Sequence, residues 1–131
     1  MRIAIPAETR AGETRVAATP ETVKKMLAAA HTVMVQQGAG MGASIPDADY
    51  QAAGATMVSA AELYAQAEIV LKVRAPSAEE LARLSANKVL IGLLSPYQAD
   101  LVTAYAKQGI TAFAMEKLPR TSRAQAMDVL S

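Results

Sequence analysis

Glu68-Ile69-Val70-Leu71-Lys72-Val73-Arg74-Ala75-Pro76-Ser77-Ala78-Glu79-Glu80 sets the end of an apolar run directly against the start of a helix. The run from Glu68 to Val73 is almost continuously apolar, as expected of a strand buried on both faces of a parallel sheet. Ser77 and Glu80 have capping-box spacing, so a helix is predicted to begin there. The same alternation extends in both directions. Strands are predicted at Ile3–Ile5, Thr32–Gln36, Ala55–Val58, Lys88–Leu93 and Thr111–Met115. Thr19 caps a helix that has Pro20 at its first position and runs to about Ala30. Ser59 with Glu62 and Ser95 with Gln98 repeat the capping-box spacing, and Pro96 is preset for a first turn. Gly54 and Gly109 stand where left-handed helix stops precede strands. Strands alternating with helices predict a layered α/β domain with a mostly parallel sheet and right-handed crossovers.

Composition narrows the function classes. Charged residues make up 19% of the 131 and the formal net charge is +1, without the basic stripe of a nucleic-acid binder. One Phe, four Tyr and no Trp leave too few aromatics for stacking on single strands. The absence of cysteine removes disulfides and thiolate chemistry and points to an intracellular setting. A single histidine without cysteine argues against zinc, and no metal site is expected. No apolar stretch approaches the roughly 20 residues needed to cross a bilayer.

Gly38-Ala39-Gly40-Met41-Gly42-Ala43 follows a strand and invites a dinucleotide-loop reading. The fingerprint needs its third glycine three residues after its second, opening a helix. Gly42 comes too early, and a turn is the better reading. The loop Ala7–Thr19 carries Glu8, Arg10, Glu13 and Arg15; either these form solvated surface ion pairs or Arg15 points into the cleft beyond the strand ends. Lys72, at the end of its strand, is placed either to reach a ligand's carboxylate or carbonyl or to snorkel to the sheet edge. His31 lies between a helix and a strand, where it meets the helix's negative end without a nucleophile nearby.

The last segment, Leu118-Pro119-Arg120-Thr121-Ser122-Arg123-Ala124-Gln125-Ala126-Met127-Asp128-Val129-Leu130-Ser131, follows the final strand. Residues past a strand's carboxyl end sit where α/β folds bind ligands. Arg120, Gln125, Asp128 and Ser131 offer a guanidinium, an amide, a carboxylate and a hydroxyl, a set suited to an amide-bearing ligand. Equally, Ser122 and Gln125 have the spacing of a capping box, with Asp128 paired to a neighbouring arginine.

Several segments together resemble the alanine dehydrogenase and nicotinamide nucleotide transhydrogenase superfamily. They are Met1–Glu8 with Glu13–Pro20, Gly38-Ala39-Gly40 with Asp47-Ala48-Asp49-Tyr50, and Ile69–Val73. The most specific stretch, Ala114–Arg120 followed by Ser122–Asp128, is similar to the α subunit of proton-translocating NAD(P) transhydrogenases, within the NAD(H)-binding domain. The resemblance implies that Arg120 and Asp128 orient the nicotinamide and its carboxamide, with Ser131 close by. It implies that Gln125 contacts a neighbouring NADP(H)-binding component. These roles position the reactants, while the cofactors carry the chemistry. It further implies a homodimer and a membrane component that couples hydride transfer to proton movement. The chain would then lie in the cytoplasm, peripheral to the inner (plasma) membrane.

Family members continue into a second subdomain with the dinucleotide fingerprint, so the resemblance implies that residues 1–131 form one α/β subdomain, three-layer and Rossmann-like (flavodoxin-like) with a mostly parallel sheet, truncated before the second and inactive alone. The resemblance leaves an alanine dehydrogenase alternative, with matches to Arg15 and Lys72 holding a keto acid. It needs a histidine after the fifth strand, where Leu93-Leu94-Ser95-Pro96 stands. In that light Arg15 and Lys72 take an ion-pair or cleft role. A non-catalytic interaction or dimerisation module is the alternative from a different class.

Overall fold

The computed structural model describes residues 1–9, 11–93 and 99–114. Six parallel strands form one sheet: β1 (Arg2–Ile5), β2 (Thr32–Gln36), β3 (Thr56–Val58), β4 (Ile69–Arg74), β5 (Val89–Leu93) and β6 (Thr111–Ala114). Their order is β3-β2-β1-β4-β5-β6. The helices are α1 (Pro20–Ala28), α2 (Asp47–Ala52), α3 (Ala60–Gln66), α4 (Ala78–Ala82) and α5 (Ala99–Gln108). Strand boundaries fall within a residue of those predicted; Met115 lies outside the described residues.

Alternation along each strand feeds two separate cores. Ile3, Ile5, Val33, Val35, Leu71 and Val73 face Val23 and Met26 of α1 and Tyr50 of α2. Ala4, Met34, Val58, Val70 and Leu90 face the other way, against Leu63 and Tyr64 of α3 and Tyr105 of α5. A sheet buried on both faces explains why its strands read as continuous apolar runs, and it gives the three layers expected. Tyr50 is fully buried, and its hydroxyl donates to the Ala18 carbonyl at 2.7 Å, tying α2 to the segment before α1. Burial, with Asp47 nearby, pushes its phenol up to about 12.

The helix ends follow local chemistry. Thr19 caps α1, and Thr22 closes the box with its hydroxyl. Ser77 and Glu80 form the predicted box at α4. Ser59 caps α3 by accepting from the Glu62 amide. Gly54 and Gly109 take φ of 105° and 70° after their helices, as predicted. Ser95, Pro96 and Gln98 lie outside the described residues. Among the described residues, no helix is long and apolar enough to cross a membrane.

The strand order reverses direction between β1 and β4, and the carboxyl ends of those two strands bound a crevice. Open α/β sheets bind ligands at such a switch point.

Candidate functional site at the strand-order switch

Lys72 stands at this crevice, near the carboxyl end of β4. Its side chain is 1% exposed. It neither reaches outward nor snorkels: its ammonium lies 3.2 Å from Glu8 Oε1 and 3.1 Å from Glu80 Oε2. The ligand-reaching and snorkelling placements of Lys72 thus give way to the ion-pair role, here in a buried cluster. Two carboxylates surround one ammonium, and burial is tolerable because each carboxylate also has neutral donors.

Glu8 is brought in by the loop after β1. Its carboxylate accepts from the Val73 amide at 2.9 Å and the Arg74 amide at 3.1 Å. These amides belong to an irregularity in β4. Lys72 pairs with Gly92 of β5, but Arg74 pairs with Leu93, so the register shifts by one residue at Val73. A bulge of this kind re-aims side chains at functional edges. Gly92 permits the close approach, since a Cβ there would stand 2.1 Å from the Lys72 carbonyl oxygen.

Glu80 comes from α4, where it closes the Ser77 cap. Its carboxylate accepts from the Ser77 amide at 2.8 Å, from Thr9 Oγ1 at 3.2 Å and from the Tyr64 hydroxyl at 3.3 Å, besides Lys72. Burial pushes its carboxyl up, but the Ser77 amide, the Lys72 ammonium and the Thr9 hydroxyl outweigh that and hold it below the ordinary value. Tyr64 is raised by burial and then by the Glu80 charge, so it stays a neutral donor. A cavity of about 130 Å³ adjoins the cluster, with Thr9, Gln36, Tyr64, Glu79 and Arg83 in its wall.

Arg15 does not enter the crevice. It is exposed and donates from Nε and Nη2 to the two carboxylate oxygens of Glu13, both at 2.9 Å. The Arg15 guanidinium holds Glu13 down at about 2. Arg74 lies 4.0 Å from the same carboxylate. With Ala11, Gly12 and Glu13, Arg74 lines an open depression of about 310 Å³ on the outer lip. For Arg15 this is the surface ion-pair reading; Glu8 of the same loop departs from it, buried beside Lys72, and Arg10 lies outside the described residues.

The glycine stretch is a turn, as predicted, and it does not fit a dinucleotide's pyrophosphate. The Gly38 amide is taken by Asp47 Oδ1 at 2.9 Å, and the Ile45 amide closes onto the Gly40 carbonyl at 2.8 Å. His31 sits at the amino ends of the strands, with Nδ1 3.4 Å from the Met1 amino group, where it cannot serve the crevice. No group of three or more potential ligands able to hold a metal occurs among the described residues. Arg120, Gln125, Asp128 and Ser131 lie outside the described residues.

Glu80 and Tyr64 were not foreseen as site residues. Glu80 signalled itself only as a capping residue, which the helix start already explained, and Tyr64 had no signal beyond its place on a helix.

Known proteins are similar to this chain in sequence and fold. Residues 4–131 match the family described as alanine dehydrogenase/PNT, N-terminal domain. An NAD(P) transhydrogenase subunit alpha polypeptide of Rhodospirillum rubrum is 48% identical over a 140-residue alignment spanning 100% of this chain and 36% of that protein. A transhydrogenase crystal structure from Sinorhizobium meliloti superimposes with a TM-score of 0.91 at 42% identity, over 99% of this chain and 39% of the other. Alanine dehydrogenase of Halomonas elongata is 41% identical over 120 residues, covering 90% of this chain and 32% of the enzyme. The chain thus spans about a third of the length of these curated relatives.

Proposed function

The chain belongs to the alanine dehydrogenase/PNT N-terminal domain family, and from that premise we propose that it is the first subdomain of the NAD(H)-binding domain of an NAD(P) transhydrogenase. One observation carries the choice within the family: the transhydrogenase relative aligns along 100% of the chain at 48% identity, the alanine dehydrogenase along 90% at 41%. The site chemistry supports it. Lys72, which an amino-acid dehydrogenase would turn toward its substrate, is engaged by Glu8 and Glu80. After β5 the sequence reads Leu94-Ser95-Pro96, with no histidine to move a proton.

On this reading the chain's task is positional. Arg120 and Asp128 orient a nicotinamide and its carboxamide, and Ser131 lies beside them. Gln125 meets the NADP(H)-binding component across the gap. Hydride transfer between the two nicotinamides is the chemistry the bound cofactors supply. The phosphates are held by the second, fingerprint-bearing subdomain, because the turn at Gly38 is closed by its own chain. The assembly is a homodimer, cytoplasmic and peripheral to the inner membrane, with a separate membrane component coupling transfer to proton movement.

Fluorescence titration of NADH against the 131-residue chain tests the division of labour. The expected result is no saturable binding by the chain alone. When the second subdomain is present, binding appears and Arg120→Ala weakens it roughly tenfold, as loss of a charge-assisted hydrogen bond would. Saturable binding by the chain alone, sensitive to Arg120→Ala, would overturn the split. Binding to the complete protein that ignores Arg120→Ala would remove the terminal motif from the site.

A further inference from the structure

A second charged cluster lies at the amino ends of the strands, opposite the crevice. Ile3 of β1, Ile69 of β4 and Val89 of β5 are register partners, so Arg2, Glu68 and Lys88, one residue before each, stand side by side. They meet at the carboxyl end of α3, where the last carbonyls have no partner within the helix. Arg2 Nε donates to the Gln66 carbonyl at 2.6 Å, and the Lys88 ammonium donates to the Ala67 carbonyl. Glu68 accepts from the Arg2 amide at 3.1 Å and lies 3.9 Å from Arg2 Nε. Two cations thus share one helix end, and the ion pair of Glu68 is with Arg2. Lys88 is half-buried, and burial, then the Arg2 charge, hold its ammonium below the ordinary lysine value against the opposing pull of Glu68. A lysine amine becomes nucleophilic when it is desolvated or set beside another cation, and Lys88 is both.

We propose that Lys88 is a modification site, acylated by small acyl phosphates in preference to the exposed lysines, with Arg2 holding the phosphate group of the donor. A guanidinium is suited to a phosphate, and the Arg2 side chain is 55% exposed and open to one. The Lys88 Nζ lone pair attacks the acyl carbon and forms the N–C bond. The bond from that carbon to the phosphate oxygen breaks, phosphate leaves with the electron pair, and the amine's proton passes to solvent. The product suits the place where it forms. Its amide N–H can still donate to the Ala67 carbonyl, while the charge that burial and Arg2 oppose is gone. This edge of the sheet and the proposed hydride-transfer role are independent, and either can fail without the other.

Incubation of the full chain with acetyl phosphate at neutral pH, with each lysine followed by peptide mass spectrometry, tests it. The initial rate at Lys88 is expected to exceed those at Lys24, Lys25 and Lys107 several-fold. All three of these are exposed, so accessibility alone predicts the reverse order. Arg2→Met should bring the Lys88 rate down to that of the exposed lysines and leave theirs unchanged. An acetyl ester of N-hydroxysuccinimide, which carries no phosphate, should show a smaller preference for Lys88. A Lys88 rate at or below the exposed lysines would overturn the assignment, and that comparison needs only the unsubstituted chain, whether or not Arg2→Met folds. A preference that survives Arg2→Met, or is as large with the ester, would overturn the part given to Arg2.

Discussion

Replacing Lys72 by methionine lowers the stability of the folded chain by about 3–5 kcal/mol at neutral pH. The loss comes less from the missing attraction than from what stays behind. Glu8 and Glu80 remain buried without their shared cation, held among the described residues by the Val73, Arg74 and Ser77 amides and by the Thr9 and Tyr64 hydroxyls. For a domain with a total stability of about 5–15 kcal/mol this is a large fraction. Urea unfolding should show a lower midpoint at unchanged slope.

The pH dependence distinguishes this cause from lost packing. In the unsubstituted chain Glu80 has a depressed pKa, so its contribution is present above its ordinary value and is lost as pH falls through the folded one. Stability therefore drops under acid conditions, below about pH 4.5. In Lys72→Met the Glu80 carboxyl loses its counter-charge, and the downward pull of Lys72 on its pKa goes with it. Protonation then relieves the variant, and the gap between the two proteins narrows from pH 7 toward about pH 5. A gap that stays constant with pH would mean the loss is one of packing. Arg15→Ala is the contrast: its guanidinium is exposed to solvent, and the change is expected to cost about 1 kcal/mol or less.

Gly92→Ala is expected to cost about 3 kcal/mol, and it disturbs the site as well as the sheet. The added methyl would lie 2.1 Å from the Lys72 carbonyl oxygen and 2.9 Å from its carbonyl carbon. Those are backbone atoms of the neighbouring strand and cannot rotate away. Relief requires β4 and β5 to part where the register shifts, and that moves Lys72 from both carboxylates. Gly38→Ala, where nothing lies within 4 Å of the added methyl, is strained only by its φ of 79° and should lose about 1–2 kcal/mol. Urea midpoints of the two variants measure the difference; equal losses would mean the close strand approach is not what requires glycine at 92.

The fold was legible because its strands are buried twice. Ile69–Val73 and Thr32–Gln36 need apolar side chains on both faces, so they stand out as continuous runs. Caps at Thr19, Ser59 and Ser77 fixed helix starts because the chemistry is local. Strand order was not legible, since pairing β1 with β4 joins residues far apart in the chain and leaves no local mark. The buried cluster was half visible for the same reason. Lys72 stood out as a charge in an apolar run, and Glu8 as an acid in a polar loop. Nothing in the sequence joined them, because the bulge that frees the Val73 and Arg74 amides arises only once β4 and β5 pair. Gly92 looked like an ordinary strand residue. Arg120, Gln125, Asp128 and Ser131 rest on the resemblance and on their place after the last strand, not on described geometry.

Hydride transfer in the complete protein is the deciding assay for a transhydrogenase role. NADH deuterated at C4 is incubated with NADP⁺ and the NADP(H)-binding component, and label is followed into NADPH, with alanine plus NAD⁺ as the parallel assay. The expected outcome is labelled NADPH, a loss of rate of roughly tenfold or more in Arg120→Ala and Asp128→Ala, and no alanine-dependent formation of NADH. Alanine-dependent NADH formation without label transfer to NADP⁺ would contradict that role.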